Sequence, residues 1–389
     1  MLLVIIGLPY LGSPVYQFPE PAPFSGPRFY NPYDGIRGSW QRANLHAHGA
    51  AWGGITNGAQ TSADVARTYR GLGYDIAGVS NYHDIATARG VDTLPLYEHG
   101  YNVRKRHQLA IGATRVEWLD FPLWQALSQE QFIIDRVGRT AALVGLTHPD
   151  SRDAYSDDAL QQLTGYQFIE VVNGPFASTA PWDSALSSGH AVWAMANDDT
   201  HDTTDPRRTA MAWNMIDAPS SRLADVVDAM RAGRSIAVER HQGAPADMDV
   251  RLLAVTLTGG TLAVSTEGVP VTIEFIGQSG AARAAYRDTH AAEYAIKADD
   301  PYIRPVINSA NTTLFLNPIV RSATTGVPAL PQEGSRLDKA ERELLLKALE
   351  SAEWNVTRAA KLLGVSRDTL RYRMERHCLA RPMQDAVSA

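Results

Sequence analysis

Short apolar runs alternate with helical patterns along residues 41–240, and this alternation limits the possible folds more than any other feature of the chain. The strand-like runs are Asp75–Ser80, Gln108–Ala113, Ala141–Thr147, Phe168–Val172 and Ala191–Ala196. Between them lie helix-like stretches at Thr61–Leu72, with Ser62 as the expected N-cap, and at Ser128–Val137, Asp157–Leu163 and Ser221–Ala232. Strands separated by helices predict a mainly parallel α/β sheet or barrel, because parallel neighbours need a crossover. At 389 residues, 44% of them hydrophobic, the chain has room for two or three domains with real cores.

The pattern changes on either side of this region. Residues 1–40 form an apolar start and a lead-in; residues 13–40 are rich in Pro and aromatics (Phe18-Pro19-Glu20-Pro21, Phe29-Tyr30-Asn31-Pro32-Tyr33), which excludes a regular helix there and predicts extended chain over the domain surface. Residues 41–245 are the α/β unit. From 246 to 320, short partly alternating runs are punctuated by Gly259-Gly260 and Ser279-Gly280, which predicts a small antiparallel β domain of sandwich type. Residues 321–335 read as a linker, and residues 336–381 as an all-helical unit.

Metal-ligand residue types recur at the ends of the apolar runs. Asn44-Leu45-His46-Ala47-His48-Gly49 places two imidazoles two residues apart, and on a strand such residues share a face. His83 follows the run ending at Ser80, Glu117 the run ending at Ala113, His148-Pro149 the run ending at Thr147, and Asp199-Thr200-His201 the run ending at Ala196. In α/β barrels the catalytic groups collect at the C-terminal ends of several strands. His46, His48, His83, Glu117, His148, Asp199 and His201 so placed predict two divalent ions, with provision for a third, in the mixed N/O environment that suits Zn, Mn or Fe.

This order resembles the PHP (polymerase and histidinol phosphatase) family over roughly residues 41–240. Ala229-Met230-Arg231-Ala232-Gly233-Arg234 and Asn317-Pro318-Ile319 are similar to the carbaryl-hydrolase-like branch, which carries an appended β domain. The resemblance implies a distorted seven-stranded β/α barrel with two or three divalent metals that hydrolyses phosphoesters or, in some branches, other esters. It implies that His46, His48, Glu117 and Asp199 hold one metal, that Glu117 bridges to a second held also by His148, and that His83 and His201 serve a further site. Asp199, Glu117 and His201 would then be catalytic, with Asp199 a proton acceptor as well as a ligand. Arg207 and Arg208, close after the last motif, are expected to bind the substrate anion. Three positions depart from the family: Asn44 and Tyr82 stand where it usually has Asp, and Gly54 where it has a further His.

The C-terminal unit has a different chemistry. Leu337–Ser351 is amphipathic, Thr357 is the expected cap of a short helix Arg358–Leu363, Gly364-Val365 makes a turn, and Ser366 caps Arg367–Arg376. This is helix-turn-helix spacing, and the run from Asn355 to Arg367 resembles the Fis-type module of bacterial regulators. Arg358, Lys361, Ser366, Arg367, Thr369, Arg371, Tyr372 and Arg373 are the expected contacts to duplex DNA. The resemblance implies a homodimer with Leu337–Ala352 in its interface. From Arg336 to Arg381 the chain holds 11 Lys+Arg against 7 Asp+Glu, a net +4, which leaves −10 for the rest of a chain whose total is −6. A basic appendage on an acidic body follows.

Cys378 is the only cysteine, so an intrachain disulfide is excluded. Met1 to Gly12 are nearly all apolar but too few to span a bilayer. A remnant anchor or signal, an N-terminal strand and a late start codon all fit, the first best. A DNA-binding tail requires a cytoplasmic body, with anchoring at the inner membrane through the N-terminus as the compatible variant. Two functions follow: a metal-dependent ester hydrolase with a DNA-binding tail, or a regulator whose body senses a metal or ligand without turnover.

Overall fold

A computed structural model describes residues 9, 10, 12–245, 247–328, 335–376 and 379. The expectation for Met1–Leu8 lies outside them. The strands that build the body are β1 (Trp40–Asn44), β2 (Ile76–Ala77), β3 (Leu96–His99), β4 (Gln108–Ile111), β5 (Leu143–Leu146), β6 (Phe168–Asn173), β7 (Trp193–Asn197), β8 (Ala212–Asp217) and β9 (Ser235–Arg240). The helices between them are α1 (Ser62–Gly71), α2 (Leu127–Gly138), α3 (Asp157–Leu160), α4 (Ala180–Ser187) and α5 (Leu223–Arg231). The cap of α1 is Thr61, whose side chain accepts from the Asp64 amide, one residue before the expected Ser62.

The fold is mixed α/β, with open sheets. One sheet runs β7-β6-β5-β4-β3, with Phe176–Ala177 paired onto β6. In it β7, β6 and β5 are parallel, but β4 is antiparallel to both β5 and β3. The second sheet holds β8 and β9 with β1 and β2 at one side. Among the described residues, isolated bridges join the two sheets, Tyr82 with Glu98 and Ala47 with Thr200. Main-chain bonds reinforce both junctions: the His83 amide donates to the Glu98 carbonyl at 2.9 Å, and the Asp199 amide to the His46 carbonyl at 2.8 Å. A closed seven-stranded sheet is therefore replaced by two sheets whose strand ends converge.

Beyond residue 246 the strands are β10 (Val250–Thr258), β11 (Thr261–Gly268), β12 (Val271–Ile276), β13 (Ala282–Thr289), β14 (Ala291–Ala295), β15 (Tyr302–Asn308), β16 (Thr312–Leu316) and β17 (Ile319–Ser322). They do not form a detached sheet. β16 pairs with β9, Val238 opposite Leu314, so the second sheet continues as β13-β12-β15-β16-β9-β8-β1-β2. β10, β11 and β14 form a third sheet, which packs on it through Leu252, Val255 and Val264 against Ile273, Phe275 and Ile307. The alternation seen in the sequence follows from this layering, since β10, β11 and β14 bury one face each. Of the lead-in, Arg28–Tyr30 pairs with β17, and Tyr16–Gln17 pairs with Ser335–Arg336 at the head of the C-terminal unit.

Helices α6 (Leu337–Ser351), α7 (Val356–Leu362) and α8 (Arg367–Arg376) close the chain around Leu345, Leu349, Ala359, Ala360 and Leu370. Small residues at 359 and 360 let the helices approach. Asn355, not Thr357, caps α7 by accepting from the Arg358 amide at 3.1 Å.

Candidate metal centre and nucleic-acid interface

The candidate metal centre is built on Glu98, which no sequence motif marks. Glu98 sits in β3, fully buried, and its two oxygens face two different groups. Oε2 lies 3.4 Å from His46 Nε2 and 3.2 Å from His48 Nε2. Asp199 Oδ1 completes that group, at 3.3 Å from His46 Nε2 and 3.1 Å from His48 Nε2. Oε1 lies 2.8 Å from His107 Nδ1 and 3.0 Å from His148 Nε2.

The first group fits a tetrahedral cation. Zinc binds N and O ligands at about 2.0–2.2 Å, so tetrahedral edges are about 3.3–3.6 Å. The observed separations are 3.1–3.4 Å. His46 Nε2, His48 Nε2, Glu98 Oε2 and Asp199 Oδ1 are all buried without a well-formed hydrogen bond. Buried polar atoms are normally paired, so four such ligand atoms gathered together could hold a cation. The triplets His46/His48/Glu98, His46/His148/Asp199, His48/Asp199/His201 and Glu98/His107/His148 each bring their ligand atoms within 4.8 Å.

Other residues aim the ligands. Glu170 Oε1 takes His46 Nδ1 at 3.1 Å, which turns Nε2 toward Glu98 and Asp199. A carboxylate behind a ligating imidazole fixes its ring and tautomer. Glu170 is itself held by Asn197 and Asn173, each at 2.9 Å, and by the His148 amide. His83, His148 and Asp199 all adopt positive φ, a strained conformation for non-glycine residues that clusters at functional sites.

Charge follows from this crowding. Burial alone would push the His46 imidazole down, but Asp199, Glu98 and Glu170 outweigh it and hold its pKa well above the usual value. Burial would raise Glu98, yet His107 and His46 keep it well below the carboxylate range, and His46 and His48 do the same for Asp199. A divalent cation would satisfy the same carboxylates.

The expected ligands divide. His46, His48, His148, Asp199 and His201 are brought together, although His201 Nε2 stands off at 3.6 Å from Asp199 and its ring stacks on His48 at 4.3 Å. Glu117 is a correction: it pairs with Arg136 at 2.9 Å and accepts the Trp118 and Leu119 amides. Those bonds occupy its carboxylate, and strand direction brings a different residue to the site. β4 is reversed, so its C-terminal end, from which Glu117 follows, lies at the opposite end of the sheet from those of β3 and β5. Its N-terminal end, with His107 just before it, meets the site instead. His83 is a second correction, since its Nδ1 is bonded to the Glu117 carbonyl and its Nε2 accepts the Gly100 amide, each at 3.0 Å. Of the other positions singled out in the sequence, Asn44 is buried and bonded to the Asp198 amide, Gly54 is exposed, and Tyr82 stacks on His48 at 4.6 Å.

A cavity of about 430 Å³ opens beside His148, Glu170 and Asp199. Arg208 lines it, with its guanidinium over Phe176. Arg207 does not; it is 78% exposed and paired with Asp205 at 3.0 Å.

In the C-terminal unit the Ser366 hydroxyl accepts the Thr369 amide at 3.0 Å and caps α8. Arg367, Arg371, Lys361 and Arg358 are exposed, with Arg358 reaching the Ser351 carbonyl. Arg373 and Thr369 are half-buried, and the Tyr372 side chain lies outside the described residues.

Residues 336–377 match the family model described as "Bacterial regulatory protein, Fis family". They form a Fis-type DNA-binding helix-turn-helix domain. No curated protein and no solved structure matches the chain. Among the described residues no helix is long and apolar enough to cross a membrane.

Proposed function

We propose that the body is a metal-dependent hydrolase of phosphoesters or related esters, of PHP type, joined to a Fis-type module that binds duplex DNA as a homodimer in the cytoplasm. The observation that carries this reading is the Glu98 carboxylate, one oxygen in each of two His-rich groups. A bridging carboxylate between two ligand sets is the arrangement of a two-cation hydrolytic site. The strand sequence also supports a distorted barrel: β1 and β2, the Tyr82–Glu98 bridge, β3 through β7, and the Ala47–Thr200 bridge back to β1.

When bound, divalent cations would lower the pKa of a water toward neutrality and polarise the ester oxygen. His46, His48, Glu98 and Asp199 would hold one; Glu98, His107 and His148 the other. Asp199 Oδ2, bonded to Asn173 at 3.2 Å, borders the cavity and would accept the proton of an attacking water. Arg208, which lines the same cavity, would meet the substrate anion.

The alternative, a sensor without turnover, is favoured by Tyr82, a neutral phenol against His48 where the family has an acid. Metal content together with a panel of phosphodiesters and carboxyl esters separates the two. Metal without turnover of any ester supports the sensor.

A further inference from the structure

A second cavity, of about 440 Å³, lies on the other side of Lys105, which lines both. It touches His107 of the metal centre, but its other walls play no part in the hydrolysis proposed above. Those walls are Trp52, Tyr82, Tyr101 and Trp118, with Arg152 beside them.

Three of these rings are exposed, Trp52 at 39%, Tyr101 at 52% and Trp118 at 57%. Trp118 stacks on buried His83 at 5.5 Å and 19° and still leaves more than half of its surface exposed. Trp52 stands edge-on to it at 5.6 Å, with Nε1 donating to the Tyr82 carbonyl at 2.8 Å. The Tyr101 hydroxyl donates to the Trp118 carbonyl at 3.1 Å. Trp52, Lys105 and Arg152 all have positive φ, so three residues around this cavity are held in a conformation that folding alone does not favour. Two exposed indoles and a tyrosine around one cavity contribute little to the core; an aromatic partner would cover them.

We propose that this second cavity is the subsite for a flat aromatic group of the substrate, whose anionic ester end points past Lys105 and His107 to the metal centre. The proposal rests on the hydrolytic reading of that centre. A simple aryl group and a nucleobase share the chemistry that aromatic faces recognise.

The test is calorimetric binding of three inert ligands to the metal-loaded full chain. They are methylphosphonate, phenylphosphonate and the 5′-methylenephosphonate analogue of adenosine monophosphate. An aromatic ligand should bind about tenfold or more tightly than methylphosphonate. Trp118→Ala should erase most of that preference and leave methylphosphonate unchanged, and Trp118→Phe should retain it. A preference for phenylphosphonate alone assigns an aryl ester, and for the adenosine analogue alone a nucleotide; either supports the subsite. Equal binding of all three, or equal loss of all three in Trp118→Ala, overturns it. None of the ligands is turned over, so an inactive metal centre would leave this result standing on its own.

Discussion

Replacing Glu98 by Gln separates the candidate centre around Glu98 from the one expected around Glu117. The amide has nearly the volume of the carboxylate, so no cavity forms. It removes one lone-pair oxygen and a negative charge from among four imidazole nitrogens, those of His107 at 2.8 Å, His148 at 3.0 Å, His48 at 3.2 Å and His46 at 3.4 Å. Whichever way the amide turns, one ligand group receives an N–H where it needs an acceptor. A cation present at about 100 times its Kd stabilises the fold by about 2.7 kcal/mol per site, so losing both removes roughly 5 kcal/mol. In the metal-free protein, the buried imidazoles lose their carboxylate partner at a cost of about 3–5 kcal/mol. Glu117→Gln keeps an oxygen for the Trp118 and Leu119 amides and loses only a partly exposed pair with Arg136, about 0.5–1 kcal/mol. Elemental analysis after gel filtration and melting curves with and without Mn²⁺ or Zn²⁺ measure both variants. Glu98→Gln should lose metal and the metal-dependent rise in Tm, while Glu117→Gln keeps both. The opposite pattern refutes the assignment.

Other outcomes follow from single residues. Leu370→Ala empties a fully buried position in the C-terminal core and should cost about 2–5 kcal/mol, abolishing DNA binding in a mobility shift without changing metal content. Arg367→Ala and Arg371→Ala, both at exposed positions on α8, should weaken duplex binding by the full chain, and wild-type affinity should fall steeply from low to physiological salt. Burial holds the His190 imidazole down at about 4, against 6.5 for a free side chain, so the fold favours the neutral form. Its contribution is therefore complete above about pH 6.5 and is lost as pH falls toward 4, by up to about 3 kcal/mol. Urea unfolding across that range should show the slope in wild type and a flatter profile in His190→Gln.

Much of the site was legible because ligand-type residues follow apolar runs: His46, His48, His148, Asp199 and His201 converge as that pattern implies. The helix-turn-helix was legible for a local reason, since its caps, turn glycine and small residues lie within about one short stretch of chain. Glu98 was hidden by brevity. Leu96-Tyr97-Glu98-His99 is four residues long between Pro95 and Gly100, too short for periodicity, although the flanking Pro and Gly mark its limits. His107 was hidden by direction, because a ligand before a strand reaches the site only when that strand is reversed, and nothing local in Gln108–Ile111 encodes reversal. Glu170 lay inside a recognised strand, where a buried acid amid Ile169 and Val171 was the available signal. The join between β9 and β16 depends on pairing across more than 70 residues, which no local pattern carries.

The central claim is that the Glu98-bridged centre performs metal-dependent ester hydrolysis. Its most direct test is turnover of 4-nitrophenyl phosphate, bis(4-nitrophenyl) phosphate and 4-nitrophenyl acetate by the purified full chain, with bound metal counted in the same sample. The account predicts about two divalent cations per chain and hydrolysis of at least one of these esters, lost on chelation, restored by Mn²⁺ or Zn²⁺, and absent in Glu98→Gln. Fully loaded protein that turns over none of them, or hydrolysis that survives complete removal of metal, would contradict it.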